Sequence, residues 1–256
     1  MLNTVPLVIF AGGKGTRLGS TAAKPKPMTL INNDPIIWEV ISLYQKAGVR
    51  DFFICLGFGA QAIKNFFVQK IYQDQSEASL PKSHSPGADL TLESNGCRYH
   101  LLETGVNAET GARLAHAIPQ LPETFFLTYA DGLSDVNVAD IYHYHQQKQN
   151  GLTLLAVQAA FQYGVVLCND EQQVTAFVEK PLAPFWINAG FFVINKKVVI
   201  PFLEKGCNLS FEKDILPKVV TTSTVGAYKY QGFWGAVDTQ KDLQTMREKW
   251  NRLTLL

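Results

Sequence analysis

The stretch VIFAGGKGTRLGSTAAKPKPM, running from Val8 to Met28, decides how the rest of the chain is read. Its apolar, β-branched start belongs to a buried strand, taken as Val5 to Ala11, which Gly12-Gly13 stops. In open α/β sheets ligands bind just past the carboxyl ends of strands, where this glycine loop lies. Glycine lets the backbone approach a phosphate closely and leaves amides free to donate to it. Arg17 can fork onto phosphate oxygens, Lys24 and Lys26 add compact positive charge, and Pro25 and Pro27 stiffen the segment that bears them. The combination suits a triphosphate. A Walker loop needs Ser or Thr after its lysine, but Gly15 follows Lys14. The dinucleotide fingerprint, aligned on Gly13 and Gly15, requires glycine or alanine where Leu18 stands.

Outward from this loop, Ile37, Val40, Ile41 and Tyr44 recur at helical spacing and Gly48 ends the pattern. Asp51 to Leu56 reads as a second strand, and Ile63, Phe66, Phe67 and Ile71 form the stripe of a second helix. Strand, helix, strand, helix in this order implies parallel strands joined by right-handed crossovers. Asp74 to Gly87 is polar and interrupted by Pro81 and Pro86, so a surface excursion is expected. Asn95-Gly96 between DLTLES and CRYHLL is a hairpin signal, because both residues tolerate positive φ. TGARLAHAI predicts a helix, TFFLTYADG a buried strand ending in an acid, VADIYHYHQQKQ a helix, and Leu152 to Val157 a strand. Beyond Ala160 two short strands flank the turn Asn169 to Gln172. NAGFFVIN follows as a strand, SFEKDILPKVV as a short helix, TVGAYKY and FWGAVDT as extended segments, and Thr239 to Leu253 as a closing helix. The expected fold is α/β with a Rossmann-like, mostly parallel central sheet, helices on both faces, and a smaller antiparallel C-terminal portion. No linker divides residues 1–256, so one domain is expected, with halves meeting near residue 160.

Composition narrows the function. The 256 residues are 46% hydrophobic and 18% charged, ordinary for a globular chain with a sizeable core. A formal net charge of +1 gives no reason to expect a nucleic-acid partner. The first ten residues lack the features of a secretory signal, and no apolar run approaches the ~18 residues that span a bilayer. Four cysteines without paired spacing suggest neither a zinc site nor a disulfide framework. A cytoplasmic protein without membrane partner is expected. His143 and His145, two apart, point to different faces of their helix and do not form a metal pair.

AGGKGTRLGSTAAKPKPM resembles the signature GGxGTRL followed by PKPM of sugar-1-phosphate nucleotidyltransferases, and TYADG, VEKP and INAGFFV resemble later segments of that family. GFWGAVDTQKDL resembles the GFWxxMDTxxD segment of the glucose-1-phosphate cytidylyltransferase branch. The resemblance runs from Val8 to about Trp250. It implies a nucleotide-binding half to about residue 160, then a sugar-binding half with the closing helix. The implied reaction joins an NTP, CTP foremost, to a sugar 1-phosphate, glucose 1-phosphate foremost, giving an NDP-sugar and pyrophosphate.

The residue roles follow the matched motifs. Gly12, Gly13, Gly15 and Thr16 would offer backbone contact to the nucleotide, Arg17 would hold the β and γ phosphates, and Lys26 would neutralise charge near the α-phosphate. Thr104, Gly105, Thr110 and Gly111 lie in the stretch that reads nucleotide and base. Lys180 would grip the sugar phosphate, Glu179 the sugar hydroxyls, and Gly164 and Asn188 would line the sugar pocket. Asp131 and Asp238 are the implied ligands of Mg²⁺, a hard cation usually held by one or two carboxylates plus phosphates. From the residues alone Asp131 has an Asp-Gly turn as its lesser alternative, and Asp238 reads equally as an acid at a helix start. Phe233 and Trp234 fit either a lid over the sugar or the core. The chain departs from the branch pattern at Glu103, where aspartate is usual, at ETGAR in place of MTGGR, at Gln162, and at INAG in place of INGG. Two alternatives stay open: a guanylyl- or other nucleotidyltransferase acting on a mannose- or heptose-type 1-phosphate, and a non-catalytic nucleotide-sugar-binding homologue. A homo-oligomer is left open too.

Overall fold

The computed structural model of the chain describes residues 2–15, 18–19, 21, 23–72, 87–203 and 206–254. The surface excursion expected after residue 74 lies outside the described residues apart from Gly87. Strand β1 (Leu7–Phe10) is followed by α1 (Ile36–Lys46), β2 (Asp51–Leu56), α2 (Ala60–Tyr72), β3 (Leu90–Ser94), β4 (Cys97–Glu103), α3 (Thr110–Ala117) and β5 (Thr124–Tyr129). Next come β6 (Gly132–Ser134), α4 (Val138–Lys148), β7 (Leu152–Val157), β8 (Val165–Cys168), β9 (Val174–Val178), β10 (Ile187–Asn195) and α5 (Lys196–Val199). A π-helical turn (Phe211–Ile215) runs into α6 (Leu216–Thr222), and β11 (Val225–Tyr230), β12 (Trp234–Ala236) and α7 (Gln240–Thr254) close the chain.

Eight strands form one sheet in the order β11-β7-β10-β5-β1-β2-β4-β3. β4, β2, β1 and β5 are mutually parallel, whereas β10 is antiparallel to both β5 and β7, and β3 to β4. Two C-terminal strands therefore complete the central sheet, and among the described residues β8–β9 and β6–β12 stand outside it as small antiparallel pairs. Strand residues alternate between two buried layers, as the period of two demands. Leu7, Ile9, Phe52, Ile54, Phe191 and Val193 face α1, α2, α4 and α7; Val8, Phe10, Phe53, Cys55, Phe192 and Ile194 face α3, α5 and α6. The expected stripe residues Ile37, Val40, Ile41, Tyr44, Ile63, Phe67 and Ile71 are buried, and Phe66 is partly buried against the same layer. At the β3–β4 turn Asn95 and Gly96 have φ of 50° and 71°, the left-handed pair that the hairpin signal requires.

This winding places the site. The chain leaves β1 by α1 and α2 on one face, and returns from β4 to β5 by α3 on the other. The direction of winding reverses at β1, and a crevice opens beyond its carboxyl end.

One buried polar cluster has a pH signature. His145 on α4 is 3% exposed; its Nδ1 lies 3.0 Å from Thr153 Oγ1 and its Nε2 3.2 Å from Asn195 Oδ1. Asn195 Oδ1 can only accept, so the neutral ring donates from Nε2, and Nδ1 accepts the proton of the Thr153 hydroxyl, whose oxygen accepts from Asn150 Nδ2. Burial pulls the His145 pKa below its ordinary value, against the opposing Asn195 hydrogen bond. The native state refuses a proton that the unfolded chain accepts, so the contribution is complete above the unfolded value of about 6.5 and is lost as pH falls through it. The melting temperature is expected to fall between pH 7 and pH 5, with a shallower slope in His145→Gln. Equal slopes in parallel thermal scans would refute this assignment.

Candidate active site

At the crevice, β1 passes into the Ala11–Gly15 loop, whose residues line a cavity of about 590 Å³. The loop is fixed by what it accepts: Phe58 N and Arg113 Nη2 each donate to the Gly12 carbonyl at 3.1 Å. Gly15 takes the left-handed conformation, φ 57°, that its residue type permits. Of the predicted contacts, Gly12, Gly13, Gly15, Lys26, Thr110, Asp131 and Asp238 all line this one cavity. Thr16 and Arg17 lie outside the described residues.

Lys26 opens a 3₁₀ turn (Lys26–Met28) that Pro25 precedes and Pro27 stiffens, which aims its side chain inward. Its Nζ donates to Asp131 Oδ2 at 2.6 Å and to Asp238 Oδ1 at 2.8 Å. The lysine side chain is 12% exposed and the two aspartates 35% and 41%, so the carboxylates keep open sides. Burial works to lower the Lys26 pKa, but the charge and hydrogen bond of Asp131, then those of Asp238, outweigh it and hold the ammonium above the usual lysine value.

The short pair β6–β12 brings the two distant aspartates together. Its register sets Gly132 against Ala236, and Val237 N donates to the Asp131 carbonyl at 2.9 Å, so the residues flanking this ladder, Asp131 and Asp238, emerge side by side. Sequence reading offers no strand at Gly132–Ser134, which is too short to display a period. Asp238 is not the cap of α7: Asp242 accepts from Thr239 N at 2.8 Å and Thr239 Oγ1 accepts from Asp242 N at 3.2 Å, a reciprocal cap that leaves the Asp238 side chain to the cavity.

Arg113 is the residue that sequence reasoning missed. It is 3% exposed, and its Nη1 donates to Leu56 O at 2.7 Å, Thr104 Oγ1 at 2.6 Å and Gly105 O at 3.1 Å, while Nη2 reaches Gly12. One guanidinium thus ties the ends of β1, β2 and β4 beneath the cavity. Burial pulls its pKa below the usual arginine value, and the charges of Cys55 and Glu109 oppose that. A Cβ on Gly12 would stand 2.1 Å from Nη1 and one on Gly57 2.6 Å, so both glycines make room for the guanidinium. The signal in the sequence was its place on the α3 stripe, one turn before buried Ala117.

Thr104 and Gly105 serve Arg113 rather than the cavity wall. Gly111 packs elsewhere: its amide donates to Leu209 O at 2.8 Å, and a Cβ there would meet that oxygen at 2.6 Å. Thr110 Oγ1 donates to Glu212 on the π turn at 2.7 Å, and Glu212 also accepts from Ser210 Oγ and from the Tyr129 hydroxyl. Burial, then the charge of Glu212, raises the Tyr129 pKa well above its usual value. The unusual Glu103 has a partner: Lys64, fully buried on α2, reaches it at 2.5 Å. The longer acid spans to that lysine and anchors the start of the β4–α3 segment.

Asn188 lines a second cavity of about 180 Å³ together with Tyr129, Asp131 and Trp234, so Asp131 stands where the two cavities adjoin. Asn188 Oδ1 accepts from Gly190 N at 2.9 Å. Trp234 donates from Nε1 to Ala189 O at 2.8 Å along this wall, whereas Phe233 packs on Trp250. Gly164 and Glu179 come together, since a Cβ on the glycine would meet Phe177 at 2.3 Å and Glu179 Oε2 at 3.0 Å. Glu179 and Lys180, paired at 3.4 Å, are 62% and 56% exposed at the end of the β8–β9 hairpin and line neither cavity. Lys180 has φ 46° although Pro181 follows it, a backbone conformation costing about 1–3 kcal/mol. Phe177 and Leu182 beside it are exposed. Among the described residues no helix is long and apolar enough to cross a membrane.

A mostly parallel α/β sheet with a glycine loop, a lysine and two aspartates gathered at its switch point defines a nucleotide-handling class of protein. The chain belongs to the nucleotidyl transferase family, whose sequence model matches residues 7–251. It is 34% identical over 247 residues to the "Probable glucose-1-phosphate cytidylyltransferase" of Bacillus subtilis (strain 168), covering 96% of each chain. It is 30% identical over 249 residues to the glucose-1-phosphate cytidylyltransferase of Salmonella typhi, covering 96% of this chain and 95% of that one. The crystal structure of HddC from Yersinia pseudotuberculosis shares the fold, with a TM-score of 0.66 at 21% identity over 96% of this chain and 99% of that chain.

Proposed function

We propose that this protein joins an NTP to a sugar 1-phosphate, giving an NDP-sugar and pyrophosphate, with CTP and glucose 1-phosphate as the pair. The observation that carries this reading is the meeting of Lys26, Asp131 and Asp238 beside the glycine loop. The 34% and 30% identical cytidylyltransferases support the choice of substrates.

A sugar-phosphate oxygen attacks the α-phosphorus in line; the new P–O bond forms as the bond to the bridging oxygen breaks, and pyrophosphate leaves with that electron pair. The nucleophile is already an anion, so no base is needed. Positioning and charge neutralisation are the work left to the protein. The amides of Gly12, Gly13, Gly15 and Thr16 cradle the triphosphate, with Arg17 on the β and γ phosphates and Lys26 beside the α-phosphate. Asp131 and Asp238 fit Mg²⁺: both are carboxylates, both converge on one cation, and among the described residues no third acid or histidine closes the set. When bound there, Mg²⁺ supplies charge neutralisation on the phosphates and the departing pyrophosphate. Asn188 lines the sugar side, Gly164 beside Glu179 belongs to the β8–β9 hairpin that faces the sugar, Glu179 accepts from sugar hydroxyls, and Lys180 grips the sugar phosphate, with its strained backbone as the motivating sign. The β8–β9 hairpin would bring these last two residues to Asp131 by closing over the smaller cavity.

Pyrophosphate release tests this across CTP, GTP, UTP and dTTP, crossed with glucose, mannose and heptose 1-phosphates, with and without Mg²⁺. Release is expected with CTP and glucose 1-phosphate, and only with all three components present. Release confined to GTP with mannose or heptose 1-phosphate would replace the substrate pair. Tight binding without pyrophosphate in any combination would overturn the reaction.

A further inference from the structure

We infer that Glu109 selects the base: its carboxylate accepts from an exocyclic amino group and rejects bases that present a carbonyl there. Three acids line the larger cavity, and two of them, Asp131 and Asp238, are tied to Lys26. The third, Glu109, has no side-chain hydrogen bond or ion pair among the described residues, although it is the N-cap of α3 and a capping contact is within its chemistry. Asn208 Oδ1 takes its amide at 2.7 Å, and Glu212 takes the neighbouring Thr110 hydroxyl. Arg113, one turn on, is committed to oxygens of Gly12, Leu56, Thr104 and Gly105.

An exposed carboxylate that feels the Arg113 charge but has no hydrogen bond or ion pair among the described residues weakens the binding of a highly charged anion beside it unless it meets a donor. A nucleoside triphosphate carries donors only on its base and its ribose hydroxyls. Val106, Asn107 and Ala108 line the cavity just before Glu109, and Val106 is 51% exposed; this largely apolar approach suits the face of a base rather than a ribose. Cytosine offers its N4 amino group and guanine its N1–H and N2 amino group, whereas uracil and thymine turn the O4 carbonyl to the same place. A hydrogen bond to a charged group is worth about ten- to hundredfold in discrimination, and a carbonyl facing a carboxylate adds repulsion.

This inference rests on the nucleotidyl transfer proposed above. The test compares the parent with Glu109→Gln and Glu109→Met, reading kcat/KM for CTP, GTP, UTP and dCTP, and calorimetric binding of the same nucleotides where turnover is absent. The parent is expected to favour CTP or GTP over UTP. In Glu109→Gln, whose amide can turn its Nε2 toward O4, that preference is expected to fall by about tenfold or more, with the CTP to dCTP ratio unmoved. An unaltered ratio to UTP in both variants would overturn the inference, as would a change confined to the dCTP ratio, which would assign Glu109 to the ribose. No pyrophosphate with any nucleotide would instead count against the reaction, while binding ratios would still judge Glu109.

Discussion

Asp131→Ala is expected to lower kcat by about a thousandfold while leaving the melting temperature within a few degrees of the parent. The two halves of this expectation have different origins. The side chain is about a third exposed, and its partner Lys26 retains Asp238 at 2.8 Å, so the fold loses one partly solvated ion pair and strands no buried charge. The reaction loses more. Asp131 is the acid that lines both cavities, and removing it takes away half of the carboxylate pair that the proposed reaction sets beside the new bond. A loss of about 4 kcal/mol in transition-state stabilisation is ordinary for one preorganised electrostatic group, and that is near a thousandfold. Asp131→Asn, which keeps the shape and removes the charge, should fall nearly as far, and each variant should need more Mg²⁺ for half-maximal rate. Steady-state kinetics with a thermal scan read all of these quantities. A kcat within threefold of the parent in a well-folded Asp131→Ala protein would remove Asp131 from the chemistry.

Much of the framework was legible because it rests on periodicity. β1, β2, β5, β7 and β10 read as apolar runs, and α1 and α2 as 3.6-residue stripes, since each is buried by an extended layer that imposes its period on the sequence. The candidate site divides differently. Its cations and acids were visible as residue types in a matched order, but the geometry joining Asp131 to Asp238 depends on β6 and β12, three residues each, which pair across a hundred positions. No local pattern encodes such a ladder. Gly111 shows the converse: a glycine inside a motif suggests backbone contact with a ligand, and here the missing Cβ admits the Leu209 carbonyl. The π turn at Phe211–Ile215 was equally hidden, because an extra residue in a helical turn leaves the apolar spacing nearly intact while re-aiming Glu212 at Tyr129 and Thr110.

Arg113 was the hardest residue to see, since a charged residue on a helix usually reads as solvent-facing, and it carries the second large expectation. Arg113→Met is expected to lower the melting temperature by about 10 °C. Three main-chain carbonyls and the Thr104 hydroxyl lose a charged donor, two of them in fully buried bonds to Leu56 and Gly12. Each such bond is worth about 1.5–3 kcal/mol, and because the four share one group their sum overstates the loss; about 3–5 kcal/mol is the reasonable total. For a chain of this size each kcal/mol moves the midpoint by about 2–4 °C. Arg113→Lys should recover only part, because a point ammonium cannot span Gly12 and Gly105 as a planar fork does. A double-mutant cycle separates this from a general packing defect. Gly12→Ala alone should destabilise, since the new Cβ collides with the guanidinium, but in the Arg113→Met background the flexible thioether can yield and the added cost should shrink toward zero. Additive costs would mean that the glycine answers to something other than the arginine. Undiminished stability in Arg113→Met would mean that the three strand ends hold their places by sheet pairing alone, leaving the guanidinium no structural part beneath the cavity.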